Sequence, residues 1–155
     1  MNFHEDTPAF AATLPPTGRL LGLDIGGSAI GLALSDTERR IATPLSTLVR
    51  ENIHKDTGRL RTILREHNIC GIVIGLPKSM SGDEGESCVM VRSFAQKLSK
   101  KLEDTLPVLF QDERFSTAAA SRALSETSLT RKKRDALDDK MAAAFILQGA
   151  LDGLR

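Results

Sequence analysis

The sequence predicts a mixed α/β domain, and three observations carry that expectation. Arg19–Ile25 and Ala29–Leu34 are short apolar runs separated only by Gly26, Gly27 and Ser28, which reads as a hairpin. Later apolar runs of strand length, Gly71–Ile74 and Pro107–Gln111, alternate with amphipathic stretches of helical period. The chain is 155 residues, enough for one domain. The order is therefore three hairpin-linked strands, then strands separated by helices. The first three strands are expected as an antiparallel meander. The first, fourth and fifth are expected to run parallel, because βαβ crossovers join them. The result is a five-stranded mixed sheet with helices on both faces.

Each element has a local reason. Ile41–Leu48 reads as the third strand, and Pro44 makes it an edge. Asp56–His67 carries Leu60, Ile63 and Leu64 at helical spacing. Glu84–Leu102 sets Cys88, Val91, Ala95, Leu98 and Leu102 on one stripe. Gly75-Leu76-Pro77 reads as the exit from the fourth strand. Ser116 or Thr117 can cap a helix reaching Leu124. Residues 125–136 read as a polar loop, and Asp138–Leu151 as the last helix. Residues 1–18, with Pro8, Pro15 and Pro16, are expected as a mobile arm ahead of a domain spanning 19–155.

Composition excludes several classes. Lys+Arg is 21 against 20 Asp+Glu, so the chain is neither a polycation nor an acidic tail. Residues 1–18 hold two of the acids and no Lys or Arg, which leaves the remainder mildly basic. The absence of Trp and Tyr argues against a base-stacking platform. Cys70 and Cys88 form no CxxC pair, and His4, His54 and His67 are scattered, so a zinc site is not expected. Two free thiols suit a reducing cytoplasm. No apolar run is long enough to span a membrane, and no secretory leader is recognisable.

Acids mark the element ends. Asp24 closes the first strand, and Asp112-Glu113 closes the last, at the carboxyl edge where open α/β sheets bind ligands. Strand alternation allows only one of Asp112 and Glu113 to share a face with Phe110. On the last helix, at about 100° per residue, Asp139 lies within about 40° of Ala143, Ile146 and Ala150. Asp139, rather than Asp138, thus points along the apolar face. Three carboxylates aimed together at a core repel one another and lose hydration. A divalent cation relieves both costs, and an all-oxygen donor set points to Mg²⁺ or Mn²⁺. Two such ions can clamp an in-line phosphodiester hydrolysis. The expected ligands are Asp24, Asp112 and Asp139, with Glu113 the alternative to Asp112. Arg131-Lys132-Lys133-Arg134, just before the acidic helix, is the expected phosphate grip, and Arg114 stands beside the acids.

These residues resemble the YqgF family, also called RuvX, over about Gly22–Asp152. Leu23-Asp24-Ile25-Gly26 with Ile30-Gly31 is similar to its first-strand signature, and Ile74-Gly75-Leu76-Pro77 to its VGLP segment. Gly82–Gly85 with Val91-Arg92-Ser93-Phe94-Ala95 resembles the following loop and helix. Asp112-Glu113-Arg114-Phe115-Ser116-Thr117 resembles DERLST, and Asp139-Lys140-Met141-Ala142-Ala143 the last helix. The resemblance implies an RNase H-like fold and a metal-dependent nuclease. Its task would be maturation of the 5′ end of pre-16S rRNA on pre-ribosomal particles. Resolution of Holliday junctions is the alternative, needing a homodimer where RNA trimming needs only a monomer. A non-catalytic nucleic-acid-binding module of the same fold is a further alternative. LDIGGSAIGLAL also resembles the phosphate hairpin of sugar kinases and actin-like ATPases, but the chain is short for their second lobe. Two departures stand out: Gly27, Ser28 and Ala29 occupy the family's Thr-Lys-Arg places, and Ser81 replaces an Asp. Lys78 can restore one positive charge there.

Overall fold

The structure, a computed structural model, describes residues 1–79, 81–103, 105–113 and 131–155, with backbone alone for 131–138. The elements are β1 (Asn2–His4), α1 (Thr7–Ala12), β2 (Arg19–Ile25), β3 (Ala29–Ser35), β4 (Ala42–Val49), α2 (Ile53–Glu66), β5 (Ile69–Leu76), α3 (Glu86–Leu102), β6 (Pro107–Asp112) and α4 (Arg131–Gly153). They form one sheet of order β1-β6-β5-β2-β3-β4. β2, β3 and β4 make the expected antiparallel meander, and β2, β5, β6 and β1 run parallel. β2 lies inside the sheet, and five of its seven residues are buried. β4 is an edge, and Pro44 sits where its register with β3 shifts, so the missing N–H costs no ladder bond.

Two cores flank the sheet. Leu21, Leu23, Ile25, Ile30, Leu32, Ile72, Ile74, Val108 and Phe110 face α2 and α3. Leu20, Ala33, Val73 and Leu109 face α1 and α4. The helices begin at local caps: Asn52 accepts from the Lys55 amide at 2.9 Å, and Asp6 from the Ala9 amide at 3.0 Å. α3 ends at Glu103, whose φ of 50° stops the helix in a left-handed residue. Among the described residues no helix is long and apolar enough to cross a membrane.

Two expectations need correction. The sheet has six strands, not five, and the sixth comes from the segment expected to be a mobile arm. Asn2–His4 pairs with the outer edge of β6, and Phe3 stacks on Phe110 at 5.6 Å. Phe10 of α1 is fully buried against the α4-side core. Pro8 occupies the first turn of α1, where its missing N–H is harmless, rather than marking irregular chain. Second, Arg131–Arg134 is not a loop but the start of α4. Lys and Arg are good helix formers, and the helix extends toward its N-terminus beyond its apolar stripe. The expected hairpin between β2 and β3 is present, with neither glycine at positive φ. Gly26 is needed instead for closeness: a Cβ there would stand 3.0 Å from the Ala29 carbonyl oxygen. The helix expected near Ser116–Leu124 lies outside the described residues.

Candidate active site

Strand alternation decides where Asp24 points. Leu21, Leu23 and Ile25 enter the α2/α3 core, so Asp24 shares the opposite face with Leu20 and Gly22, beneath α4. Its antiparallel partner is Gly31. The backbone carbonyl of Asp139 rests on Gly31 so closely that a Cβ at residue 31 would collide with it. Asp139 therefore arrives beside Asp24 through a gap that only glycine leaves. One turn on, α4 settles on Gly22, whose Cβ would stand 2.8 Å from Leu147 Cβ and 3.1 Å from the Ala143 carbonyl oxygen. Ala142, Ala143, Ile146, Leu147 and Ala150 are all buried, so Asp139 does continue the apolar stripe.

The other flank of Asp24 repeats the device. Leu23 pairs with Ile74, so Asp24 and Gly75 follow one step later on neighbouring strands. A Cβ at Gly75 would stand 3.1 Å from Glu113 Oε2 and 2.5 Å from Ile146 Cδ1. Glu113 follows β6, donates its amide to the Leu76 carbonyl at 3.3 Å, and is buried. Asp24 is thus flanked by two glycines, each of which admits another acid.

Asp112 stands apart. Val108 and Phe110 face the α2/α3 core, so alternation turns Asp112 to that side. It lines a recess of about 220 Å³ with Glu5, Thr7, Lys78 and Gln111. Lys78 lies just after β5, its amide donating to the Leu76 carbonyl at 2.9 Å. The loop beyond it is tied down through Glu84, whose carboxylate takes two bonds from Arg92, at 2.6 and 2.7 Å. That pairing holds the Glu84 carboxyl below its ordinary range and raises the Arg92 guanidinium. Arg92 also bonds Glu5 at 2.8 Å and covers the Phe110 ring. The larger recess, about 550 Å³ between Leu14, Arg39, Arg40 and Arg155, lies away from these acids.

Among the described residues, no three His, Cys, Asp or Glu side chains stand close enough to form a ready metal site. Asp24, Glu113 and Asp139 share one face at one sheet edge without being drawn into coordination distance. The donor chemistry fits a hard divalent cation: all three are carboxylates, and the two glycines keep the ground between them clear. Cys88 lies in the opposite core. Arg114 lies outside the described residues, as do the side chains of Arg131, Lys132, Lys133 and Arg134. Their backbone precedes Asp139 by five to eight residues, about 8–12 Å along the helix axis. The role of Gly31 and Gly75 had a sequence signal that was not used: glycine inside a strand marks close approach by another chain segment.

A family model described as RuvX, Holliday junction resolvase, matches residues 18–153. A Roseobacter denitrificans protein named "Putative pre-16S rRNA nuclease" is 48% identical over 151 residues, which is 97% of this chain and 93% of that one. A Rhodobacter capsulatus protein of the same name is 51% identical over 145 residues, covering 94% and 90%. Among solved structures, T. thermophilus RuvC in complex with a Holliday junction substrate superposes with a TM-score of 0.54 at 15% identity, covering 88% of this chain and 94% of that one. At that identity the likeness speaks for the fold alone, which is RNase H-like. With the model spanning nearly the whole chain and relatives near half identity, the protein belongs to the RuvX family.

Proposed function

We propose that this protein is a metal-dependent nuclease that hydrolyses phosphodiester bonds, acting in the cytoplasm on the 5′ end of pre-16S rRNA within pre-ribosomal particles. The observation that carries the reading is the row Gly31–Asp24–Gly75, with Asp139 seated on one glycine and Glu113 beside the other. The names of the relatives support rRNA as substrate. Asp24, Glu113 and Asp139 would hold Mg²⁺ or Mn²⁺, with Asp112 at the margin on the far side of the strand. When bound, the metal supplies charge to activate water and to stabilise the leaving oxygen.

The chain's own residues do the rest. Asp24 stands on an inner strand, paired with Gly31 on one side and directly following the Leu23–Ile74 pair on the other. Glu113 is buried beside Gly75, and Asp139 leads into the buried stripe by which α4 packs on the sheet. Three carboxylates at one strand end repel one another, and a cation held between them would relieve that repulsion. Lys78, just after β5, would grip phosphate, a role also proposed for Arg114 next in sequence to Glu113. Arg131-Lys132-Lys133-Arg134 opens α4 with no acid in the first turn. Cations there oppose the helix dipole, which makes little sense for stability and good sense for attracting phosphate.

Branched DNA is the second reading, favoured by the description of the matching family model. The test uses purified protein, Mn²⁺, an rRNA precursor with a 5′ extension, and a four-way DNA junction. Asp24→Asn is expected to keep its melting temperature near wild type and to lower cleavage on the order of 100-fold or more. Preference for the RNA supports rRNA trimming; preference for the junction supports the DNA reading. Equal cleavage by wild type and Asp24→Asn overturns the assignment.

A further inference from the structure

Arg50 is a charged side chain that the proposed chemistry leaves unused, yet it reaches the hairpin just beyond Asp24. It follows β4, and its amide donates to the Ser28 carbonyl at 2.8 Å. Its Nη1 donates to the Gly26 carbonyl at 3.0 Å. Both bonds fall in the three-residue connection from β2 to β3, whose own closure is the Gly26 amide to the Ala29 carbonyl at 2.9 Å. The guanidinium is fixed from behind. Its centre lies 5.0 Å from the Phe94 ring centroid on α3, and its Nε stands 3.7 Å from Asp56 Oδ2 on α2.

Asp56 is 1% exposed, and a buried carboxylate must be compensated. It accepts from the Glu51 amide at 3.0 Å and from Arg59 Nη2 at 2.7 Å, besides facing Arg50. This cluster therefore stands on its own as a rigid anchor between α2, α3 and the end of β4. Arg59 shares Asp56 but turns outward to the Val49 carbonyl at 2.7 Å and does not touch the hairpin. Among the described residues, Arg50 alone carries the anchor to Gly26.

We propose that Arg50 is a positioning residue: through Gly26 it fixes the β2–β3 hairpin, and so the place of Asp24 relative to Asp139. The physical need is specific to this hairpin. Gly26-Gly27-Ser28 has little side chain with which to hold itself, and neither glycine is locked by a positive φ. Asp24 lies two residues before the bonded carbonyl, and its partner Gly31 lies two residues beyond Ala29. A hairpin free to move would loosen both at once. Misplacement of about 1 Å at a reacting group can cost on the order of 100-fold in rate. Arg50 works from the α2/α3 side, opposite to the face of Asp24, so it acts without meeting substrate.

The proposal rests on the nuclease reading, and its test is built to fail separately from it. Arg50→Met, Arg50→Lys and Arg59→Met are compared for amide hydrogen exchange at Gly26, Mn²⁺-dependent cleavage and melting temperature. Exchange at Gly26 is expected to accelerate about tenfold in Arg50→Met and to stay near wild type in Arg59→Met. Cleavage by Arg50→Met is expected to lose about tenfold or more in kcat with KM within about twofold. Arg50→Lys, which keeps one donor for Gly26, recovers part of both. Unchanged exchange at Gly26 in Arg50→Met overturns the proposal whatever the cleavage assay gives. So does an equal kcat loss in Arg59→Met at matched melting temperature, because the effect is then general destabilisation. If wild type and Asp24→Asn cleave alike, the nuclease reading fails, while accelerated exchange at Gly26 still supports the anchoring role.

Discussion

The two faces of the sheet are built on different rules from the same strands. Toward α2 and α3, β2, β3 and β5 present Leu21, Leu23, Ile30, Leu32, Ile72 and Ile74, all large. Toward α4 the same strands present Leu20, Gly22, Asp24, Gly31, Ala33, Val73 and Gly75. The first face buries as much aliphatic surface as its helices can cover. The second gives up side-chain volume at Gly22, Gly31 and Gly75 so that a helix backbone can lie almost on the sheet. Burial is proportional to area, so the first arrangement is the better source of stability. Proximity of acids to a strand end comes only from the second. The face that is poorer in apolar surface is the one that carries Asp24 and the close approach of Asp139 and Glu113.

The sharpest way to break this division is to put a methyl on the second face. In Gly31→Ala the added carbon meets the carbonyl of Asp139, which is main chain and cannot swing away. α4 must lift, and overpacking of this kind costs about 3 kcal/mol. Denaturant unfolding should show that loss, and cleavage per folded molecule should fall as well, because Asp139 leaves with its helix. Wild-type stability in Gly31→Ala would mean that α4 does not rest there, and that the proximity of Asp139 to Asp24 is not built by glycine.

A deletion on the first face should separate the two properties. Leu98 on α3 is 1% exposed in the α2/α3 core. Leu98→Ala removes burial and leaves a cavity, at about 3 kcal/mol. Among the described residues, the hydrophobic side chains packed on that cluster include none from α4, so cleavage by the folded fraction should stay near wild type under conditions where the variant remains native. A cleavage loss beyond the loss of folded protein would show that the two faces are coupled through the sheet.

This division explains what could be read from the sequence and what could not. Arg19–Ile25 and Pro107–Asp112 announce themselves because large apolar residues dominate them, and the meander follows from the short connections. Asp139 emerges from the helical period alone, since Ala143, Ile146 and Ala150 fix the stripe. Which of Asp112 and Glu113 lies on the face of Asp24 does not emerge. Asp112 and Glu113 differ only by one step of strand alternation, and which step faces α4 depends on Leu109 rather than Phe110 lying on that side. β1 and α1 escape for another reason. A strand of three residues and a helix of six are too short to show a period. Their existence depends on the open edge of β6 and on the pocket filled by Phe10, which are properties of the folded sheet. Arg50 escapes too: its charge reads as surface until Asp56 is seen to be buried.

The smallest effect is the most direct test of the contrast, because it uses the same substitution with the opposite sign. Gly58 lies in α2, on the first face's helix layer, and a Cβ there would meet nothing within 4 Å. Its φ is not in the left-handed region, so alanine adopts the helical backbone without strain. Glycine inside a helix costs about 0.5–1 kcal/mol relative to alanine, chiefly through the freedom it has in the unfolded chain. Gly58→Ala should therefore raise the melting temperature by about 1–4 °C and leave cleavage unchanged. At Gly31 the entropic gain is identical, but the methyl has no room. The sign of a glycine substitution in this protein is set by whether a helix backbone lies over it, and that is the property on which the acids of the α4 face depend.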